Sequence, residues 1–234
     1  MPSYTPSGLS LGFLLFPRLT QLDFTGPFEV LSRLPGATVR TLWKEAGPVR
    51  ADTGLTILAD TALADCPPLD FICVPGGPGV APLMEDAAVL DFLRRQATGA
   101  RWVTSVCTGA LVLGAAGLLR GKRATTHWAS HDFLAALGAE PVRARVVRDG
   151  NLVTGGGVTA GIDFALALLA EIAGPEVAQS VQLQIEYAPD PPFQSGEPAT
   201  APATVLQAAR QRGATMRAER EALVARVAAR LAAA

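Results

Sequence analysis

Five apolar runs rich in β-forming residues recur along the chain, and segments with helical spacing separate them. The runs are LSLGFLLF (9–16), ATVRTLWKE (37–45), LDFICVPGG (69–77), RWVTSV (101–106) and NLVTGGG (151–157). Strands that alternate with helices pair in parallel, and the intervening helices then cover both faces of the sheet. The chain is therefore predicted to adopt an α/β fold with a doubly wound, mainly parallel sheet sandwiched by helices.

Start and stop signals place the helices between these runs. Gly26 and Pro27 predict a helix that begins there and continues through Leu34. The segment 108–119 is apolar nearly all round, which predicts a buried helix. The remaining predicted elements are a helix over 86–97, a tight hairpin turn at Asp149 and Gly150, and a second buried helix over 159–175.

The character of the chain changes after Tyr187, where prolines become frequent. We expect an α/β domain over residues 8–187, a proline-rich strap over 188–202 and a C-terminal helix over 203–234. The tail is rich in alanine and arginine, and its apolar residues have a loosely helical spacing. It is predicted to pack on its own domain with its arginines in solvent, and a contact between subunits is the alternative.

Charge and cysteine content exclude several classes of function. The 20 basic and 21 acidic residues nearly balance, so we expect no binding to nucleic acid or to an anionic membrane, and a small uncharged partner instead. The apolar run over 9–16 is too short for a membrane span and has no basic residue before it, which predicts a cytoplasmic protein. Three cysteines without a CxxC pair and only two histidines predict neither a disulfide framework nor a metal site.

The stretch VTSVCTGALVLG (103–114) places Cys107 between a predicted strand and a predicted helix, beside small residues. A tight turn of this kind is typical of a nucleophile elbow, which projects its side chain above the sheet. The positive end of the helix and its free amides lower the pKa of a thiol, so a reactive thiolate is predicted. A buried, inert thiol is the alternative, and Cys73, inside an apolar strand, is predicted to be core.

Glycines follow two other strands at the same predicted edge of the sheet. Gly76 and Gly77 in PGGPG (75–79) lack the spacing of a phosphate loop. Neighbouring parallel strands share a crevice at their carboxyl ends, so these two glycines either face Cys107 or form a plain turn. Gly156 and Val158 in GGGV (155–158) are further candidates for contact with substrate or with an oxyanion, although the glycines there also suit close packing.

Two carboxylates and a histidine are candidates for acid–base chemistry with the thiol. Asp23, in LDFTGPFEVL (22–31), is placed just before the first predicted helix, as either a helix cap or a partner of Cys107. Glu29 is the competing carboxylate, and the sequence does not decide between them. His127 is either a base for the cysteine or a structural histidine.

Four stretches together resemble the PfpI-type branch of the class I glutamine amidotransferase-like superfamily over residues 8–187. They are GFLLFPRLTQLDFTGPFEVL, PPLDFICVPGGPGV, RWVTSVCTGALVLGAAGLLRGKRATTHWA and RDGNLVTGGGVTAGIDFAL. Within that branch the chain is most similar to the isocyanide hydratases, and VQLQIEYAPDPPFQSGEPATAP (181–202) extends the similarity. The resemblance implies a flavodoxin-like sandwich, a homodimer and no cofactor.

The resemblance also implies catalytic residues and a reaction. The nucleophile falls on Cys107, the essential carboxylate on Asp23, and the next residue is Thr108, where protease-like members carry histidine. The implied reaction hydrates an isocyanide to an N-substituted formamide through a covalent thioimidate. Thr108 and the amides at Gly76 and Gly77 would position the sulfur or water and stabilise developing charge. The alternatives are a glyoxalase- or deglycase-like enzyme that acts on carbonyls and a cysteine redox sensor without enzymatic activity.

Overall fold

The structure is a computed structural model that describes residues 8–233. Its strands are β1 (Ser10–Leu14), β2 (Thr38–Trp43), β3 (Gly47–Arg50), β4 (Thr56–Ala59), β5 (Thr61–Ala62), β6 (Phe71–Val74), β7 (Trp102–Val106), β8 (Arg123–Ala124), β9 (Glu140–Pro141), β10 (Val146–Asp149) and β11 (Leu152–Gly155). Its helices are α1 (Gln21–Leu31), α2 (Val80–Leu83), α3 (Ala87–Ala97), α4 (Gly109–Ala115), α5 (Phe133–Ala136), α6 (Ala160–Ala173), α7 (Pro175–Gln184) and α8 (Ala203–Ala232), with a 3-10 turn at Trp128–Ser130.

A seven-stranded sheet lies at the centre of the fold, in the order β10-β11-β7-β6-β1-β2-β5. The strands from β11 to β5 run parallel, and β10 pairs antiparallel to β11 at one edge. The five predicted runs contribute β1, β2, β6, β7 and β11, so the predicted mainly parallel α/β architecture is confirmed. The predicted hairpin turn at Asp149 and Gly150 joins β10 to β11.

The register of three neighbouring strands creates the crevice that holds the candidate site. Val74 on β6 pairs with Ser105 on β7, and Gly155 on β11 pairs with Val106 on β7. These residues all lie at the carboxyl ends of their strands. The loops that follow β6, β7 and β11 therefore meet at one edge of the sheet, where parallel α/β folds place their sites.

The first helix begins earlier than predicted. α1 starts at Gln21, so the prediction of a start at Gly26 was wrong. Pro27 lies inside the helix, where its missing N–H removes the bond that the Asp23 carbonyl would have accepted. The ring of Pro27 packs closely on α6, since a Cβ added at Gly161 would lie 2.8 Å from its Cδ atom. The earlier start puts Asp23 in the first turn of α1 rather than before it.

The helices next to the elbow are buried as predicted, with shorter bounds. All seven residues of α4 are buried, but the helix ends at Ala115 instead of residue 119. α6 ends at Ala173, and Gly174 has a φ of 92° before α7 begins at Pro175. A left-handed φ suits glycine and ends the helix at this point.

The C-terminal helix α8 packs on the same chain, against α4, α5 and the 3-10 turn. Its buried apolar residues are Leu223, Val224 and Val227. The prediction that its arginines lie in solvent was wrong for Arg220, which is only 8% exposed. Residues 188–202 before this helix form neither helix nor strand. No helix within residues 8–233 is long and apolar enough to cross a membrane.

Candidate active site

Cys107 occupies the turn between β7 and α4 and has a φ of 55°, which is unusual for a residue other than glycine. Its N–H donates to the carbonyls of Gly155 at 3.1 Å and Gly156 at 2.7 Å. Its carbonyl accepts a bond of 2.6 Å from the Thr126 hydroxyl. A strained backbone of this kind costs about 1–3 kcal/mol and persists only where surrounding bonds hold it. The turn has the geometry of a nucleophile elbow.

Asp23 reaches the same crevice from the first turn of α1 and is completely buried. Its Oδ2 atom accepts a bond of 2.8 Å from the Gly76 N–H, whereas its Oδ1 atom has no hydrogen-bond partner within residues 8–233. Burial is the largest influence and raises the pKa of this carboxyl to about 7. The bonds with the Gly76 N–H and the Cys107 thiol lower the pKa, whereas the negative charge of Asp52 raises it. A carboxyl with such a pKa can both donate and accept a proton near neutral pH.

The two other candidates for acid–base chemistry do not join this pair. Glu29 lies on the exposed side of α1 and forms an ion pair with Arg33. His127 precedes the 3-10 turn, and its Nδ1 atom accepts a bond of 3.3 Å from the Ala129 N–H. Burial and the charge of Arg220 lower the pKa of His127. The geometry favours the structural interpretation of His127 as the N-terminal cap of that turn.

The pKa of Cys107 moves in the direction opposite to the one predicted from the helix terminus. Burial and the charge of Asp23 raise the pKa of this thiol well above its usual value, and bonds from the N–H and hydroxyl of Thr108 only partly oppose them. The sequence shows the helix terminus but not the burial or the nearby carboxylate. Cys107 therefore does not lose its proton to water by itself.

Asp23 and Cys107 instead behave as one titrating pair, because each group shifts the pKa of the other. The pair gives up its first proton near pH 7 and holds the second to much higher pH. Within the state that holds one proton, transfer from the Cys107 sulfur to Asp23 produces a thiolate beside a carboxylic acid. That combination is a nucleophile next to an acid.

Gly76 and Gly77 lie at this pair, as one of the two predictions for them required. The Gly76 N–H holds Asp23, and the Gly77 N–H donates to the Thr108 hydroxyl at 3.0 Å. A Cβ at Gly76 would lie 2.5 Å from the Thr108 nitrogen, so only glycine fits. Because both amides already have acceptors, they fix the positions of Asp23 and Thr108 rather than stand open to a developing anion.

The loop after β11 reaches the elbow through backbone atoms. The Gly156 carbonyl accepts from Cys107, but the Gly156 N–H donates to the Arg145 carbonyl at 2.9 Å. That amide is therefore not free to stabilise an oxyanion. Val158 is half-buried just before α6. Its contact with substrate stays a prediction.

Arg220 on α8 is a charged residue of this region that the sequence did not single out. Its Nη1 atom donates to the Ser130 hydroxyl at 2.9 Å, and the pKa of Arg220 responds to the charge of Cys107. The sequence does contain a sign that Arg220 is buried, because it precedes Leu223 and Val227 by three and seven residues and so lies on their buried helical face. This spacing is hard to recognise in a tail that contains many other arginines.

The other cysteines have no role in this cluster. Cys73 is fully buried in β6, which confirms that it is core, and burial raises its pKa to about 12. Cys66 is a half-buried free thiol, and burial also raises its pKa. Across the part of the chain that the structure describes, no group of three or more His, Cys, Asp and Glu residues could hold a metal ion.

Comparison with known proteins places this geometry in a family. The model of the DJ-1/PfpI family matches residues 10–171. The isonitrile hydratase of Pseudomonas putida is 61% identical over 95% of this chain and 98% of its own length. The crystal structure of a THiJ/PfpI family protein from Pseudomonas syringae superposes with a TM-score of 0.91 at 40% identity, covering 96% of this chain and 97% of that one. DJ-1beta of Drosophila melanogaster gives a TM-score of 0.70 at 29% identity, over 78% of this chain and 100% of that one. The chain belongs to the DJ-1/PfpI family.

Proposed function

We propose that the protein is an isocyanide hydratase, which adds water to R–NC and releases the N-substituted formamide. The observation that carries this proposal is the Cys107 elbow with a buried Asp23 carboxyl of pKa about 7 beside it. The terminal carbon of an isocyanide accepts a nucleophile and then a proton, and this pair supplies both. The 61% identity to a protein named isonitrile hydratase supports the same activity.

The first half of the reaction forms the thioimidate. The proton of the pair moves to Asp23, and the Cys107 thiolate attacks the terminal isocyanide carbon to form a C–S bond. Asp23 then gives its proton to that carbon, which yields R–N=CH–S–Cys107 and leaves Asp23 as a carboxylate. The Thr108 N–H and hydroxyl, which both act on the sulfur, orient it for this attack.

The second half hydrolyses the thioimidate. The Asp23 carboxylate takes one proton from water as the oxygen adds to the thioimidate carbon and passes that proton to the nitrogen, and it then accepts the proton of the new hydroxyl group. When the C=O bond forms, the C–S bond breaks and the sulfur leaves as a thiolate. The products are R–NH–CHO and a pair that again holds one proton on Asp23, so no cofactor is consumed.

We also propose a homodimer, which the family resemblance implies and an apolar groove supports. A cavity of about 350 Å³ opens between α1 and α6 and is lined by Leu22, Thr25, Gly26, Glu29, Ile162, Ile185 and Tyr187. Leu183, at the end of α7, is 82% exposed. Apolar surface of this kind suits burial against a second copy. The three free thiols suit a reducing compartment, so the cytoplasm is the proposed location.

The proposed activity is tested by following the isocyanide infrared band and the formamide product with purified protein. We expect wild type to consume isocyanide, Cys107→Ala to be inactive, and Asp23→Asn to lose at least about 100-fold in kcat/KM, as expected for loss of general acid–base catalysis. Cys66→Ser serves as the matched control, because its thiol lies outside the site, and it should retain wild-type turnover.

The same assay separates the alternatives. A glyoxalase- or deglycase-like enzyme would act on methylglyoxal and leave the isocyanide band unchanged, and a redox sensor would turn over neither substrate. Isocyanide consumption by Cys107→Ala at the wild-type rate would refute the covalent mechanism. Absence of consumption by the wild type, tested over aliphatic and aromatic R groups, would refute the function itself.

A further inference from the structure

Arg145, just before β10, contacts both ends of the loop 156–159, which joins β11 to α6. At the start of the loop, the Arg145 carbonyl accepts a bond of 2.9 Å from the Gly156 N–H. At the end of the loop, its Nη2 atom donates to the Thr159 hydroxyl at 3.0 Å. Its Nε atom donates to the carboxylate of Asp163 in the first turn of α6. One residue therefore fixes the loop from both ends.

The side chains that meet Arg145 are arranged for this contact. Thr159 is the N-cap of α6, where a threonine hydroxyl ordinarily accepts a bond from an N–H of the first turn. Within the part of the chain that the structure describes, it makes no such bond and accepts from Arg145 instead. The other oxygen of Asp163 accepts from the Tyr187 hydroxyl at 3.1 Å. Because a guanidinium is planar, two donors aimed at two acceptors fix the orientation of both partners.

The loop and the residue before it supply both acceptors of the Cys107 N–H. The Gly155 carbonyl accepts at 3.1 Å and the Gly156 carbonyl at 2.7 Å. The φ of 55° at Cys107 is unfavourable for a residue with a side chain and persists only where surrounding bonds hold it. A shift of the Gly156 carbonyl would release this conformation and move the sulfur. A residue that fixes the loop therefore also fixes the nucleophile.

We propose that Arg145 is a positioning residue for the reaction. Together with Asp163 and Tyr187 it holds the loop 156–159 in place, and the loop keeps the Cys107 backbone in the conformation that presents the sulfur. The effect on turnover rests on the proposed hydratase function, but the hold on the Cys107 N–H does not.

The hold is tested by amide hydrogen exchange, measured residue by residue by NMR without any isocyanide. The Val103 N–H donates to the Asn151 carbonyl at 2.9 Å, at the opposite end of β7 and β11, and is the internal reference for global stability. In Arg145→Met the Cys107 amide should exchange about tenfold faster relative to Val103, as expected for loss of an ion pair and a hydrogen bond. Thr159→Val removes only the hydrogen bond and should give an increase of about threefold.

Arg148→Met is the matched control. Arg148 also joins β10 to α6, through Glu171 near the end of that helix, and its side chain is 51% exposed, as is that of Arg145. Exposed ion pairs contribute little to overall stability, so both variants should fold. Because Glu171 lies far along α6 from the loop, Arg148→Met should leave the Cys107 exchange ratio unchanged.

Isocyanide turnover tests the catalytic consequence. In Arg145→Met, kcat should fall about tenfold with KM within about threefold of wild type, because a shift of the nucleophile by less than about 1 Å slows the chemistry without removing contacts to substrate. An unchanged exchange ratio in folded Arg145→Met, or an equal increase in Arg148→Met, would overturn the proposal, and Thr159→Val decides by the same criterion if Arg145→Met does not fold. Faster exchange with a wild-type kcat would overturn the positioning role. Faster exchange alongside a wild type that consumes no isocyanide would support the hold and overturn only the hydratase function.

Discussion

Gly76→Ala tests whether the loop after β6 sets the positions of the reacting groups. An added Cβ would lie 2.5 Å from the Thr108 nitrogen, 2.7 Å from Asp23 Oδ2 and 2.7 Å from Thr108 Oγ1. Ordinary contact begins at 3.4 Å, so atoms on both sides of the new methyl group must move by up to about 0.9 Å. The nearest of them is a backbone nitrogen and the other two belong to the side chains of Asp23 and Thr108, so the motion is imposed on the site itself.

A displacement of about 1 Å in reacting groups lowers the rate by about 100-fold, which corresponds to about 2.7 kcal/mol of transition-state stabilisation. We expect this loss in kcat/KM when isocyanide consumption is followed by the infrared band. The extra methyl group should also lower stability by about 1–3 kcal/mol, so circular dichroism must first show a folded variant.

Gly155→Ala, in β11 on the other side of β7, is the matched control. Gly155 is also buried, but its added Cβ would meet its nearest atoms at 3.6 Å, which is ordinary contact. It should keep activity within a few-fold of wild type. A folded Gly76→Ala protein with wild-type kcat/KM would show that Asp23 and Thr108 need not lie where the structure places them.

Two further predictions concern stability and assembly. The folded pKa of Asp23 is about 7 against an ordinary value of 3.8, so burial of the neutral carboxyl favours the fold at low pH and this contribution is lost as pH rises to about 7. Thermal unfolding should therefore show wild type losing up to about 4 kcal/mol relative to Asp23→Asn between pH 4 and 7, and a pH-independent difference would contradict the raised pKa. Light scattering at micromolar concentration should give a dimer, and Ile162→Asp, in the groove between α1 and α6, should give a monomer; a monomeric wild type would refute the homodimer.

The elbow and its sheet were predictable because their signals are local. Strand-forming runs and a buried helix bracket Cys107 within a dozen residues, and parallel strands bring their carboxyl ends together whatever the detailed sequence. The same rule places Gly76 and Gly77 opposite the cysteine. The fold class and the crevice follow from these patterns alone.

The charges of the site were not predictable in the same way. The start of α1 was misplaced because Pro27 resembles a first-turn proline, and this obscured the position of Asp23 inside the helix. The direction of the Cys107 pKa depends on burial and on a carboxyl 84 residues away in the sequence, which no local pattern contains. Arg220 lies further still along the chain, on a helix whose register on the domain is set by packing.

The raised pKa of both groups explains how a buried cysteine can be a nucleophile without a strongly acidic thiol. A buried thiolate in this crevice would need hydrogen bonds or an opposite charge to offset its lost solvation, and a buried carboxylate would need the same. A pair that holds one proton carries a single negative charge, so only one such compensation is needed, and the N-terminus of α4 lies on the side of the sulfur. In the proposed reaction, attack neutralises the sulfur, and proton delivery then moves the charge to Asp23, where it can activate water. In that reaction the pair gives its proton to the isocyanide carbon in the first half and recovers one from water in the second, so a carboxyl with a pKa of about 7 suits both steps near neutral pH.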